Sequence, residues 1–279
     1  MAPIPVIVMG AAGRMGSRII SLLREQKEVS LAAAIEYQSH AAIGRDAGEA
    51  AGGETLGVTI TPDLPRALKH GRVIIDFTAP EVTAETAALA AKAGIPLVIG
   101  TTGLSDGHLK TVRAAADKVA VLHSPNMSIG VNLLFRLSAE AATALGPSYD
   151  IEIVEAHHRM KKDAPSGTAL HLARVLADAT GRKLEQAAVY TRHGSEAARQ
   201  AGQIGIQSIR GGDIVGDHTV IFAGSGERLE LTHRASSRDN FARGALLAAT
   251  WIVDQPPGLY TMQDLLGNKG QGAGGRGQG

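Results

Sequence analysis

The sequence predicts an α/β protein of two domains: a Rossmann-like dinucleotide-binding domain and an α+β domain with a mostly antiparallel or mixed sheet. Three observations carry this. An apolar run at Ile4–Met9 enters a glycine-spaced turn followed by a helix-like pattern, and apolar runs then alternate with helical stretches as far as residue 122. Beyond Gly146-Pro147 the pattern changes to closely spaced strands.

In chain order, the first strand leads into Gly10-Ala11-Ala12-Gly13-Arg14-Met15-Gly16, with Ile19, Ile20, Leu22 and Leu23 at helical spacing behind it. Glycines at 10, 13 and 16 allow a tight turn, close backbone approach to a pyrophosphate, and close packing of helix on strand. In a chain with 34 glycines such a pattern is weak alone. It gains force from a second apolar run, Val29–Ile35, ending at Glu36, where a dinucleotide fold needs an acid to accept hydrogen bonds from the adenosine ribose. Further strands are expected at 73–77, 95–99 and 119–122, with a helix over Pro80–Ala93 stopped by Gly94. Loops at the carboxyl ends of parallel strands line the ligand crevice, so Gly100, Thr101 and Thr102, and Ser124, Pro125, Asn126 and Met127, are expected to face the nicotinamide half of the cofactor. Ordinary turn chemistry accounts equally well for any one of these residues.

The second half begins with a helix at 131–145. Strands follow at 149–156, 204–209, 214–223 and 228–234, the last two forming a hairpin through Gly224-Ser225-Gly226. A helix at 241–253 and a short segment at 262–266 precede a glycine-rich tail, 267–279, expected to be flexible.

The densest chemistry lies between Glu152 and Ala169. His157, His158, Arg159, Lys161 and Lys162 fall within six positions of a chain whose formal net charge is only +1, so positive potential is local and suits a small anion. The strand before them is expected to hand these residues to a loop. Behind them Ser166 can cap a helix with apolar positions at Ala169, Leu172, Val175, Leu176 and Ala179, stopped by Gly181. Backbone N–H groups near Gly167 and Thr168 would cradle a carboxylate. Solvated charges and an ordinary helix cap are the plainer account of either feature alone. Adjacent histidines on an extended segment point to opposite faces, and neither a His-x-x-x-His pair nor a cysteine joins them, so no metal site is expected.

Composition bounds the function. With 44% hydrophobic and 20% charged residues the chain can bury substantial cores. The absence of cysteine excludes disulfides, thiolate nucleophiles and Cys-ligated zinc. No basic and apolar leader is seen, and no apolar run approaches the ~18 residues of a membrane span, so a cytoplasmic protein without a membrane partner is expected. Aromatics are only 3% and do not interleave with basic residues, which argues against nucleic acid as a partner.

The run Glu152-Ile153-Val154-Glu155-Ala156-His157-His158-Arg159-Met160-Lys161-Lys162-Asp163-Ala164-Pro165-Ser166-Gly167-Thr168-Ala169 closely resembles the signature of the 4-hydroxy-tetrahydrodipicolinate (dihydrodipicolinate) reductase family. The resemblance extends to Gly10 through Gly16, Asp76-Phe77-Thr78, Gly100 through Gly103, Ser208-Ile209-Arg210, Gly212-Asp213-Ile214-Val215-Gly216 and His233-Arg234-Ala235-Ser236-Ser237-Arg238. It implies a discontinuous dinucleotide domain, 1–128 with 239–266, around a substrate-binding and tetramerisation domain, 129–238. It further implies a homotetramer, NADH and/or NADPH as cofactor, and a small cyclic dicarboxylate as substrate. By the same resemblance His157 donates or accepts a proton, Lys161 donates one, and His158, Gly167 and Thr168 bind substrate. Gly10, Ala11, Ala12, Gly13, Arg14, Met15 and Glu36 would hold the dinucleotide. One departure bears on the cofactor. Many relatives carry an arginine after the ribose-binding acid, where this chain has Tyr37, so NADH is expected to serve at least as well as NADPH, with Arg14 as the cation that could still reach a 2′-phosphate. Another two-domain dehydrogenase, or a non-catalytic nucleotide sensor of the same fold, remains the alternative.

Overall fold

The computed structural model describes residues 2–195 and 197–268. These divide into two compact units, one of the residues up to Ile129 with those from Asp239 on, the other within Gly130–Arg238.

The first unit opens with β1 (Ile4–Met9), α1 (Arg14–Leu23) and β2 (Val29–Ile35). The short α2 (Ala47–Ala50), β3 (Ile60–Thr61) and α3 (Leu64–Ala67) follow. Next come β4 (Val73–Asp76), α4 (Pro80–Ala93), β5 (Leu97–Ile99), α5 (Asp106–Ala116), β6 (Ala120–His123) and the start of α6 (Ile129–Leu145). The second unit adds β7 (Asp150–His157), α7 (Gly167–Ala179), α8 (Leu184–Ala187), β8 (Ala188–Val189), β9 (Ile204–Arg210), β10 (Gly216–Ala223) and β11 (Arg228–Ala235). The chain then returns to the first unit with α9 (Asp239–Ile252), β12 (Gly258–Tyr260) and α10 (Met262–Asn268).

The first sheet has the order β12-β6-β5-β4-β1-β2-β3, and every pairing is parallel. Its strands are apolar on both faces because helices cover both. Val6 and Val8 pack into the core shared with α1, α9 and α10; Ile7 and Met9, their neighbours on the same strand, pack into the core shared with α4 and α5. The strand order reverses between β1 and β4, which is where such folds bind a dinucleotide at the strands' carboxyl ends.

The second sheet has the order β11-β10-β7-β9-β8. It is mixed: β10 runs antiparallel to β7 and β11, while β9 runs parallel to β7 and β8. Ile151, Ile153, Ile204, Ile206, Val220 and Phe222 pack on α7 residues Ala169, Leu172, Ala173 and Leu176.

Several expectations need correction. The strand expected at 214–223 begins at Gly216, and β7 runs on through His157, so this histidine ends a strand and the loop starts at His158. Gly267 and Asn268 belong to α10, whereas 269–279, the remainder of the expected flexible tail, lie outside the described residues. Seven short or polar elements, α2, β3, α3, α5, α8, β8 and β12, were not expected at all.

Candidate active site

In the first unit the turn after β1 is held by its own backbone. Gly10 has φ +62°, Gly13 N donates to Gly10 O at 2.9 Å, and Ala11 N donates to Ile35 O at 3.0 Å. A Cβ on Gly16 would lie 2.1 Å from Gly10 O, so glycine there is what lets α1 start against the turn. Glu36 joins the two strand ends: its Oε2 accepts from Ala12 N at 3.0 Å and its Oε1 from Tyr37 N at 3.1 Å. The N-cap of α1 is Gly13, which has no side chain to cap, and the first turn carries no acid. Backbone N–H groups at Arg14 and Met15 are therefore available to an anion, which fits the pyrophosphate of a dinucleotide.

A cavity of about 710 Å³ opens here, lined by Gly10, Gly13, Glu36, Tyr37, Gln38 and Glu85 among others. Gly100, Thr101 and Thr102 follow β5, and Ser124 through Met127 follow β6, so both loops lie at carboxyl ends of the same parallel sheet. Gly100 is required by a close approach, since a Cβ there would stand 2.1 Å from the Phe77 ring. Thr101 is buried and accepts from Thr83 Oγ1 at 2.8 Å; Ser124 Oγ donates to Asn126 O at 2.8 Å. Met127 is a core residue, 1% exposed, which leaves its backbone rather than its side chain to meet a ligand.

Behind this loop, Asp76 is fully buried at the end of β4. Its Oδ1 accepts from Thr78 N at 2.8 Å and Thr78 Oγ1 at 2.6 Å. Burial pushes its carboxyl up, against the opposing effect of Thr78, Thr83 and Thr86. Thr78 in turn lies against Gly10, where an added Cβ would be 3.0 Å from its methyl group.

In the second unit the register builds a polar face. Glu155 pairs with Ser208 on β9 and with His218 on β10, and His218 pairs with His233 on β11. Two positions along the same strands, and therefore on the same face, His157 lies beside Arg210 on β9. Glu155 has no exposed side-chain surface. Its Oε2 lies 2.6 Å from His157 Nδ1 and accepts from Arg210 Nη1 at 2.8 Å; its Oε1 accepts from Arg210 Nη2 at 2.7 Å and from Ser166 N at 3.1 Å. Burial opposes ionisation of this carboxyl, but Arg210, Ser208, His157 and Ser166 N outweigh it and hold the pKa at about 2. The His157 ring is shifted down from its ordinary value, by burial first, with Lys161 and Arg210 adding to the effect and Glu155 opposing it. His218, behind it, is driven to about 3 by burial and then by the neighbouring His157.

Ser166 is the N-cap of α7, its Oγ accepting from Ala169 N at 3.1 Å while lying 3.0 Å from His218 Nε2. A Cβ on Gly167 would touch nothing within 4 Å, so the first turn of α7 is open to an approaching anion. Lys161, one-fifth exposed, donates to Asp163 Oδ1 at 2.9 Å. An anion is therefore its nearest charged partner, where the sequence reading stressed its cationic neighbours. Arg210 Nη2 also donates to Asp163 O at 2.6 Å.

Sequence reasoning missed Glu155, Arg210, Ser208, His218 and Gly216. Glu155 shares the buried face of β7 with Ile151 and Ile153, whereas Glu152 lies on the other face. The spacing of two from Ile153 was the available signal.

Fold and site together put the chain among the NAD(P)H-dependent oxidoreductases. Residues 4–127 match the family model described as dihydrodipicolinate reductase, N-terminus, and residues 130–266 the one described as dihydrodipicolinate reductase, C-terminus. The chain belongs to the dihydrodipicolinate reductase family. Among its relatives, the 4-hydroxy-tetrahydrodipicolinate reductase of Anaeromyxobacter dehalogenans is 52% identical over 265 residues, 95% of this chain and 98% of that one. The protein of the same name from Halorhodospira halophila is 54% identical over 260 residues, 93% of this chain and 97% of that one. In fold it is similar to the dipicolinate-bound dihydrodipicolinate reductase from Paenisporosarcina sp. TG-14, with a TM-score of 0.75 and 24% identity, covering 93% of this chain and 97% of that one. An amine dehydrogenase from Mycobacterium smegmatis shares the fold more distantly, at TM-score 0.59 and 15% identity, over 93% of this chain and 95% of that one.

Proposed function

We propose that this chain reduces 4-hydroxy-tetrahydrodipicolinate, or its dehydrated form dihydrodipicolinate, to tetrahydrodipicolinate with NADH or NADPH, a step of the diaminopimelate route to lysine. The observation that carries the reading is one carboxylate, Glu155, bonded both to the ring of His157 and to the backbone at the head of α7. Proton-handling and anion-binding groups thus belong to a single network, which suits a substrate that is both a dicarboxylate and a proton acceptor.

When bound, the dinucleotide supplies a hydride, and the reduced ring must then take up a proton. Lys161 Nζ is the donor in this reading, and His157 exchanges protons through Nε2, the nitrogen turned away from Glu155. Gly167 N, Thr168 N and His158 hold a substrate carboxylate. Gly10 through Met15, with Glu36, hold the dinucleotide, and the loops at Gly100 through Thr102 and Ser124 through Met127 border its nicotinamide. Residues 1–128 with 239–266 serve as the cofactor domain and 129–238 as the substrate domain.

A homotetramer assembled through the second sheet is part of the proposal. The face opposite Glu155 carries Val154, Thr219 and Thr232 in register, and Ile209 is 51% exposed, so this sheet offers a surface for a second copy. Among the described residues no helix is long and apolar enough to cross a membrane, and a reductase working on a soluble dicarboxylate suits the cytoplasm.

The test is loss of nicotinamide absorbance on adding freshly generated cyclic imine, run beside pyruvate-derived and sugar substrates. Turnover confined to the imine is expected. Comparable turnover of a sugar, or none of the imine, would move the chain to another dehydrogenase activity or to a sensor.

A further inference from the structure

We propose that Glu155 is a positioning residue that locks the His157 ring in its Nδ1–H form and ties it to the anion-binding turn and to the lysine loop. This rests on the reading of His157 as the group that exchanges protons with substrate.

The geometry leaves little freedom. Five donors converge on a fully buried carboxylate: His157 Nδ1, both Arg210 nitrogens, Ser166 N and the Ser208 side chain. An ionised carboxylate accepts and never donates, so at 2.6 Å the proton must sit on Nδ1 of the ring. Neutral His157 then presents the lone pair of Nε2, and the protonated ring presents an Nε2–H. Gly216 precedes Asp217, the partner of Ala156 in the register, and a Cβ on Gly216 would stand 3.0 Å from His157 Nε2. Glycine at that position leaves the nitrogen unobstructed.

The same carboxylate reaches the other two parts of the site. Ser166 N, on Oε1, begins the cap of α7. Arg210, held in a two-pronged pair, passes its Nη2 on to the carbonyl of Asp163, whose side chain holds Lys161 Nζ. Glu155, Arg210, Asp163 and Lys161 form an unbroken line of polar contacts. A salt bridge needed only for folding would require Arg210 and nothing more.

The charged or titratable groups that face His157 are Glu155 on its own strand, Arg210 on β9, His218 on β10 and Lys161 on the loop. Of these, Glu155 is the one that favours the imidazolium. Glu155→Gln preserves size; Ser166 N and Arg210 Nη2 both donate at the Oε1 place and favour the amide oxygen there, which turns the NH2 toward Nδ1 and moves the ring proton to Nε2.

The experiment is ¹⁵N NMR of histidine-labelled protein, with His157 assigned by its loss in His157→Asn, together with steady-state kinetics of both variants. The wild-type ring is expected as Nδ1–H at neutral pH, and the Glu155→Gln ring as Nε2–H. In that variant kcat should fall about 10²- to 10⁴-fold, the range of general acid–base contributions, while dinucleotide affinity holds. The limb of the pH profile assigned to His157 should move to lower pH. A wild-type ring in the Nε2–H form overturns the proposal, and that spectrum does not need Glu155→Gln, so the test survives if that variant does not fold. Turnover and pH profile unchanged in Glu155→Gln, with His157→Asn inactive, would also overturn it and leave the reading of His157 standing. Full turnover in His157→Asn would remove both.

Discussion

Lowering the pH from 7 to 5 should weaken the second unit by about 2 kcal/mol through His218 alone. This side chain is 4% exposed, Ser166 Oγ lies 3.0 Å from its Nε2, and its Nδ1 finds no hydrogen-bond partner among the described residues. A second proton would have no acceptor. Burial, then the charge of His157, depress its pKa from 6.5 to about 3. For a base so depressed, the unfolded chain takes up a proton below pH 6.5 while the folded chain does not until about pH 3. Stability is therefore full above 6.5 and drains away as the pH falls towards 3. At about 1.4 kcal/mol per pH unit, the 1.5 units between 6.5 and pH 5 amount to about 2 kcal/mol, or about a 30-fold rise in the opened population. Glu155 acts in the same direction but lower, its contribution present above 4.5 and lost towards pH 2. His157, His171 and His233 are also depressed by burial, so the decisive quantity is the difference between wild type and His218→Gln. Hydrogen exchange on peptides from β7 and β10, corrected for intrinsic rates at each pH, measures it. Equal acid sensitivity in wild type and His218→Gln would refute the argument.

Three further outcomes are expected. Lys161→Ala should lower kcat about 10²- to 10⁴-fold with dinucleotide affinity retained in a fluorescence titration; unchanged turnover would end its role as proton donor. Gly16→Ala brings a Cβ to 2.1 Å from Gly10 O and must open the turn, so calorimetry should find dinucleotide binding weaker by about tenfold or more, at about 1.4 kcal/mol. Retained affinity would mean the turn is not the cofactor cradle. The cavity beside Glu36 is lined by Glu36 and Glu85 and, among the described residues, by no lysine or arginine, so NADH should be used at least as well as NADPH in steady-state kinetics. A strong preference for NADPH would show that a cation outside that lining, such as Arg14, meets the 2′-phosphate.

The first unit was largely legible in the sequence because its signals are local. β1, β2 and α4 coincide with their expected bounds, since each is a continuous apolar run or a helix bracketed by Pro80 and Gly94. β3 and β12, at two and three residues, are too short for any period to register. α5 begins with a capping box in which His108 takes the place usually held by Glu or Gln, so the common start signal was absent.

The site divides along the same line. His157, Lys161 and the Ser166-Gly167-Thr168 turn lie within twelve residues and announced themselves by charge and capping. The groups that hold them come from elsewhere: Arg210 is 55 residues from Glu155, and Ser166 and His218 are 52 apart. Only the registers of β7 with β9 and β10 bring these together, and register follows from long-range pairing that no local pattern contains. A buried carboxylate is also unexpected by rule, since an acid inside a strand reads as a solvent-facing residue until its arginine is found.

Deuterium tracing tests the central claim most directly. Freshly generated cyclic imine is given to the protein with NADH deuterated at both C4 positions, and the product is weighed by mass spectrometry. The account predicts tetrahydrodipicolinate carrying one cofactor-derived deuterium on a ring carbon, with the accompanying proton drawn from solvent. Tetrahydrodipicolinate without that deuterium, or no tetrahydrodipicolinate at all, would contradict it.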